Sequence, residues 1–464
     1  MKVCIRFFFV LAMLGLSNGC FHKKKIIPDI QSIIPSNELF SSDQNESNQS
    51  SFPTIESVFT DQHLYELFNL ALENNLDWKV QLTKIDLART EAGFVMSQSS
   101  PTVDTSFGLR EGREKNRDTS FDEKELPKWN ASVSTSWEID MWGKWKTLRK
   151  SENQKVQATI EMIKSAEISL LHQIALTWYT LRFYQEDIKI LENSLKRQKS
   201  TLVLFRQRFN SGLENKTTII RQEAEMTELL FEKSRVDKNY RLLTIRLKRL
   251  LGRPLQAEKL KITPLSFAPS PIFPSILPTV ALSQRPDIRA AESRLRSSLF
   301  LEKSSQLNLF PSLGLKLSGI SMSSSLSNPW KSWEAQAGPF VDIPIWSPRR
   351  KHQVRVSKVK VELMEAEWKA LIIRAVEEVE RSTIAFSTIS EQLELAKDMV
   401  NQANAVLAVT REKLESGIVS QLELLEDERR LFRAERKALT IKLEEYEAAL
   451  DLSKSLGLCM IKSN

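Results

Sequence analysis

Between Trp129 and Met141 the chain alternates. Odd positions read Trp129, Ala131, Val133, Thr135, Trp137, Ile139 and Met141, and even positions read Asn130, Ser132, Ser134, Ser136, Glu138 and Asp140. A period of two puts one apolar and one polar face on an extended strand. The run has Trp near both ends and exceeds the about 9–11 residues that a tilted strand needs to cross a bilayer, so it predicts a transmembrane β-strand. Three weaker stretches share the pattern. In the first, Val103, Thr105, Phe107 and Leu109 alternate with Asp104, Ser106, Gly108 and Arg110; in the second, Leu313, Leu315 and Leu317 alternate with Ser312, Gly314, Lys316 and Ser318. In the third, Phe340 breaks the polar side and Pro339 and Pro344 interrupt it. The predicted strands are about 101–110, 129–141, 311–320 and 334–345. Four strands cannot close a cylinder, and an open edge in lipid leaves backbone groups unpaired at several kcal/mol each. Single-chain bacterial barrels begin at about eight strands, so several copies would share one barrel. These stretches alone also fit two hairpins of a soluble sheet.

Helical spacing governs most of the remainder. Neither Pro nor Gly occurs from Lys144 to Ser211 or from Arg349 to Ser416. At about 1.5 Å per residue each run predicts roughly 100 Å of helix. Ile188, Leu195, Leu202 and Phe209 recur every seven residues with Leu191 and Phe205 between them; Leu393, Val400, Leu407 and Leu414 repeat the register with Ala396 and Ala403. That 3–4 spacing predicts a coiled-coil seam, for which a solid bundle core is the alternative. Further helices are expected over Leu213–Leu251 and Ile418–Leu456.

The chain says the same thing twice. Ala71-Leu72 through Asp77 matches Ala281-Leu282 through Asp287, and Pro101 matches Pro311, each pair 210 positions apart. Ser211-Gly212 matches Ser416-Gly417, and Leu251-Gly252 matches Leu456-Gly457, each 205 apart. The difference falls in the hairpin loops, of which the first, about 111–128, is longer and more charged. Two repeats are therefore expected, 61–265 and 266–464, each reading helix, strand hairpin, long helix, turn, helix. The fold class is membrane α+β: a shared transmembrane barrel with four strands per protomer, continued by a long α-helical coiled-coil barrel.

The N-terminus adds an address. Lys2 and Arg6 precede an apolar core from Phe7 to Leu16, so residues 1–19 are expected to be an export signal peptide. Leu16-Ser17-Asn18-Gly19-Cys20 resembles a lipobox, with Ser17 where that pattern prefers Leu, which implies lipidation of Cys20 and outer-membrane lipid anchoring; ordinary signal cleavage after Gly19 is the alternative. Residues 20–60, rich in Ser, Asn, Asp and Lys, read as an extended leader.

Composition narrows the function. With only 13 Gly among 464 residues, the chain is expected to be mostly helical. Its net charge of +8 comes from basic residues interleaved with acids, not from a compact basic footprint, which argues against nucleic acid. No phosphate loop, GxGxxG, HExxH or GxSxG is present, so neither an enzyme nor a cofactor is expected. Cys4, Cys20 and Cys459 form no metal-type spacing with one another or with His22, His63, His172 and His352. The informative residues lie just after the helix turns. Glu423 and Glu426 are three apart and share a helix face; repeated around an axis, such acids would favour cations. Solvated acids at a helix start, helping its dipole, are the plain alternative.

Three motifs carry a resemblance. Arg285-Pro286-Asp287-Ile288-Arg289-Ala290-Ala291-Glu292, Trp137-Glu138-Ile139-Asp140-Met141-Trp142-Gly143, and Ser416-Gly417 through Leu424-Leu425-Glu426-Asp427-Glu428 resemble the TolC-like outer-membrane factor family, and within it the outer-membrane efflux lipoproteins. The resemblance spans about residues 61–460. It implies a homotrimer with a twelve-stranded barrel, a periplasmic helical tunnel, a periplasmic adaptor protein and an inner-membrane transporter as partners, and efflux through a passive duct. It also implies a periplasmic gate at acids six and nine places after the turn glycine Gly417, namely Glu423 and Glu426, where the family usually has Asp. The corresponding places after Gly212 are Thr218 and Arg221. The exit duct of a type I protein secretion system and a non-conducting coiled-coil envelope scaffold are the rival readings.

Overall fold

The computed structural model describes residues 54–109, 113–114, 124–125, 129–252, 264–265, 269–273, 278–323, 332–416 and 418–458. The expected signal peptide, Cys20, nearly all of the leader and Gly417 lie outside the described residues. The elements run α1 (Ile55–Val58), α2 (Gln62–Asn74), α3 (Leu76–Ser97), β1 (Thr102–Leu109), β2 (Arg113–Glu114), β3 (Lys124–Glu125), β4 (Trp129–Ile139), α4 (Lys144–Asn210), α5 (Lys216–Leu250), α6 (Pro278–Gln284), α7 (Pro286–Leu307), β5 (Ser312–Ser323), β6 (Ser332–Asp342), α8 (Pro348–Glu415) and α9 (Gln421–Ser455). No described helix is long and apolar enough to cross a membrane.

The four expected strands form one antiparallel sheet in the order β1-β4-β5-β6. Among the described residues both edge strands, β1 and β6, have a neighbour on one side only. Register pairs odd positions with odd, Val133 opposite Gly319 and Trp137 opposite Leu315, so the alternating apolar residues share one face. Strand ends differ from expectation. β4 stops at Ile139 because the Asp140 carboxylate turns away to cap α4, accepting from the Trp145 and Lys146 amides at 3.0 and 2.8 Å. β5 continues to Ser323, and β6 starts at Ser332 and stops at Asp342. Phe340, the apparent fault in β6, faces Gly314 across the ladder; a Cβ there would lie 2.5 Å from the Phe340 ring. The missing side chain is where the ring goes. The charged first loop holds the small β2–β3 ladder, which two-residue strands cannot announce by periodicity.

The long helices span 67 and 68 residues, about 100 Å each. The second seam is the cleaner one. Leu393, Ala396, Ala403, Leu407 and Thr410 are buried along α8, and the first four meet Leu431, Ala434 and Ile441 of α9. On α4 the buried set is Leu191, Gln198, Leu202 and Phe205, whereas Phe209 is 40% exposed where the hairpin ends. Each seam therefore carries polar residues that the apolar heptad omits. Gln198 donates to the Gln222 side-chain carbonyl at 2.6 Å in one hairpin, and Thr410 donates to Asp427 at 2.7 Å in the other.

The α1–α2 region packs at the middle of α4, where Phe59 meets Tyr179 and Asp61 meets Arg182, close to Pro264. There Tyr179 and Tyr446 stack at 4.1 Å with Phe59 beside them, and Arg182 binds Asp61 at 2.7 Å and the Pro264 carbonyl at 2.9 Å. Not every acid on the long helices is solvated. Asp187 is 2% exposed and is held by two of the guanidinium nitrogens of Arg436, Nε at 2.7 Å and Nη2 at 2.9 Å. A bidentate pair locks α4 to α9, a contact between distant stretches that local spacing cannot encode.

Candidate functional site: the helical-hairpin tips

Two tips end the hairpins. At the first, Gly212 takes φ +73, the left-handed conformation that closes a helix, and the Leu213 amide donates to the Arg208 carbonyl at 2.8 Å. At the second, the Ile418 amide donates to the Lys413 carbonyl at the same 2.8 Å. Behind each turn one ion pair crosses the hairpin: Arg206–Glu223 at 2.6 Å and Arg411–Glu428 at 3.4 Å. The scaffolds match, and the residues mounted on them diverge.

On the second hairpin Glu423 and Glu426 are exposed, and among the described residues neither carboxylate has an ion-pair partner. Glu423 occupies the third position of α9, and its amide donates to the Ser420 hydroxyl at 3.3 Å. Ser420 and Glu423 thus have the spacing of a capping box, a signal readable in Ser420-Gln421-Leu422-Glu423. On the first hairpin Thr218 is half-buried and donates to Glu214 at 3.0 Å, and Arg221 is exposed.

Charge of the opposite sign stands one to two turns further along. Arg429 pairs with Glu225 of α5, and burial followed by the neighbouring Arg433 and Arg221 charges lowers its pKa from the ordinary guanidinium value. Arg208 donates to Gln421 at 3.1 Å, joining the base of the first tip to the start of α9. The sequence reading missed both ties because their partners are about 200 residues apart. Among the described residues no group of three His, Cys, Asp or Glu side chains could hold a metal ion.

At the opposite ends of the same helices the motif that begins at Arg285 has a structural role. Arg285 lies just before α7 and is buried. It binds Asp287 at 2.7 Å, Glu378 at 2.8 Å and the Ser455 carbonyl at 2.9 Å, so it fastens the end of α9 to the start of α7. Burial opposes its charge, but the Asp287 and Glu378 carboxylates outweigh this and raise its pKa. Asn75, 210 positions earlier, donates to the Leu250 carbonyl at 2.6 Å and so fastens the end of α5 to the start of α3. Gly252 and Gly457 follow those helix ends at φ +70 and +73; a Cβ on Gly252 would sit 2.2 Å from the Asn74 carbonyl oxygen.

An alternating sheet with two open edges, standing on two helices of about 100 Å that each turn back as a hairpin, is the fold of an outer-membrane channel protomer. Solved channels share it: the open-state MtrE outer membrane channel of Neisseria gonorrhoeae superposes with a TM-score of 0.77 at 20% identity, covering 94% of this chain and 98% of that one. CusC, whose crystal structures concern folding and transmembrane channel formation, gives 0.78 at 19% identity over 88% and 95%. By sequence the chain is 24% identical to the solvent efflux pump outer membrane protein SrpC of Pseudomonas putida over 97% of both chains. It is also 24% identical to the probable outer membrane lipoprotein SilC of Salmonella typhimurium, over 86% and 87%. The chain belongs to the outer membrane efflux protein family, whose model matches it twice, at residues 67–253 and 277–458.

Proposed function

We propose that the protein is the outer-membrane exit duct of a tripartite efflux system, passive in itself and driven by an inner-membrane transporter through a periplasmic adaptor. The observation that carries this reading is the sheet, whose lipid-type alternation coexists with two unpaired edges, β1 and β6. In hydrocarbon those edges must pair with other copies; two copies would already reach the about eight strands at which barrels begin, and the family resemblance favours three, in a twelve-stranded barrel.

The helices support the same closure. The repeats 61–265 and 266–464 are related by the paired motifs, the matched tips and the two-fold match of the family model. In that relation α7 packs on both α4 and α8, and α9 on both α8 and α4, whereas their counterparts α3 and α5 pack chiefly on α4. Their outer faces remain apolar: Leu82, Leu87 and Phe94 on α3 and Leu230, Phe231 and Ile245 on α5 are exposed, as are Val359, Leu363 and Ile373 on α8. A neighbouring α8 is the missing layer, and a ring of such protomers extends the barrel as a helical tunnel into the periplasm. Export as a lipoprotein acylated at Cys20 completes the placement. Glu423 and Glu426, with Thr218 and Arg221 on the other hairpin, line the periplasmic gate.

Efflux is favoured over protein secretion by SrpC, a solvent efflux pump outer membrane protein that aligns over 97% of both chains, and lipid anchoring by SilC, a probable outer membrane lipoprotein. Native mass spectrometry of the detergent-solubilised protein tests the assembly: three chains are expected, and a stable monomer overturns the shared barrel.

A further inference from the structure

We propose that Trp346 staples each subunit to its neighbour by donating its indole N–H to the neighbouring copy's Pro101 carbonyl, with β6 pairing to the neighbour's β1 in a fixed register. The inference rests on the shared-barrel reading and adds to it the residues that join one copy to the next.

The template lies inside the chain. At the foot of the sheet Trp142 donates its indole N–H to the Pro311 carbonyl at 2.6 Å, and its ring lies 5.4 Å from Phe310. That contact ties the junction after β4 to the junction before β5, the central pair of the sheet. Its donor side recurs in the second repeat. The Met141 amide donates to the Ile139 carbonyl at 2.8 Å, and 204 positions on the Ile345 amide donates to the Ile343 carbonyl at 2.9 Å. The same tight turn launches Trp142 and Trp346. Its acceptor side recurs in the first repeat. Ahead of Pro311 the Leu309 and Phe310 amides donate to the Gln306 and Leu307 carbonyls; ahead of Pro101 the Ser99 and Ser100 amides donate to the Met96 and Ser97 carbonyls, 210 positions earlier.

Donor and acceptor frames are therefore both present twice, and only one of the two contacts is made within a chain. Trp346 is 80% exposed, steadied by Lys351 at 5.3 Å from its ring. It stands at the β6 edge and Pro101 at the β1 edge, the two edges that the shared barrel brings together. Ser100 replaces Phe310 on the acceptor side, so the hydrogen bond recurs without the ring contact.

The same relation gives the register. Within the chain Ile139 opposes Leu313 and Trp137 opposes Leu315. Carried over, Ile343 opposes the neighbour's Val103, and Val341 opposes the neighbour's Thr105. All four are odd positions, so the lipid-facing side stays continuous; a one-residue slip would turn one apolar set inward.

The test uses the full chain in detergent with Cys459→Ser. Ile343→Cys with Val103→Cys, oxidised, is expected to give disulfide-linked chains because directly opposed residues bring Cβ atoms to about 4.5–5.5 Å. Asp342→Cys with Val103→Cys, and each single cysteine, are expected to give none. Separately, Trp346→Phe, which keeps a ring and removes the N–H, is expected to lower the temperature at which the trimer dissociates on a gel. An amine-reactive cross-linker applied to the same samples reports assembly independently. Trimer by that reagent with no disulfide from the 343/103 pair, or with an unchanged dissociation temperature for Trp346→Phe, overturns the staple and leaves the shared barrel standing. That result would place the Trp346 ring and Lys351 against lipid. Monomer alone by the amine reagent overturns the shared barrel itself.

Discussion

Arg285 satisfies three acceptors at once, and two of them would be left without their cation if it were removed. Asp287 and Glu378 would face each other across the gap, and the Ser455 carbonyl at the end of α9 would lose its donor. The guanidinium is buried but its two carboxylate partners are 31% and 47% exposed, so losing these charge-assisted bonds costs about 1.5–3 kcal/mol. Arg285→Met is therefore expected to lower thermal stability by about 1.5–3 kcal/mol, followed by circular dichroism of the helices, and Asn75→Ala by about 1 kcal/mol because a neutral hydrogen bond is lost. Equal losses at the two sites would mean that the carboxylates contribute nothing. Neither role was readable locally. Asn75 and Arg285 cap the returning helices in the same way with unlike side chains, so comparing the two halves residue by residue hides the correspondence, and the partners lie 175 and 170 positions away.

Secondary structure was legible wherever one period ran unbroken. The two-residue alternation located all four strands of the large sheet, and the absence of Pro and Gly set the long helices to within a residue or two. Boundaries failed where a side chain acted on the backbone instead of on a face, as Asp140 does in ending β4. The heptads located the seams but not Gln198 or Thr410, because a polar side chain in a seam needs its partner named before it looks like core. The tip acids were legible as a pair, and their flanking arginines were not. At this scale the hairpin tip makes its own prediction. Glu423→Gln with Glu426→Gln should reduce the cation preference of single channels and weaken divalent-ion block from the periplasmic side. The comparison pair is Glu377 and Glu391, exposed on α8; Glu378 is unsuitable because it binds Arg285. If selectivity and block respond equally to both pairs, Glu423 is simply the capping residue that its bond to Ser420 makes it.

Over the whole molecule, what one chain leaves unfinished defines the assembly: two sheet edges, the outer faces of α3, α5 and α8, and an indole N–H without the carbonyl that its counterpart has found. A duct and a scaffold would both complete those surfaces, and they differ in whether the completed ring is open to ions. Planar-bilayer recording of the purified, mass-verified trimer decides between them most directly. Discrete conductance steps of one unit size are predicted, silenced or narrowed when the helical tips are closed. A trimer that inserts and remains electrically silent, with the tip acids intact or neutralised, would contradict the exit-duct account.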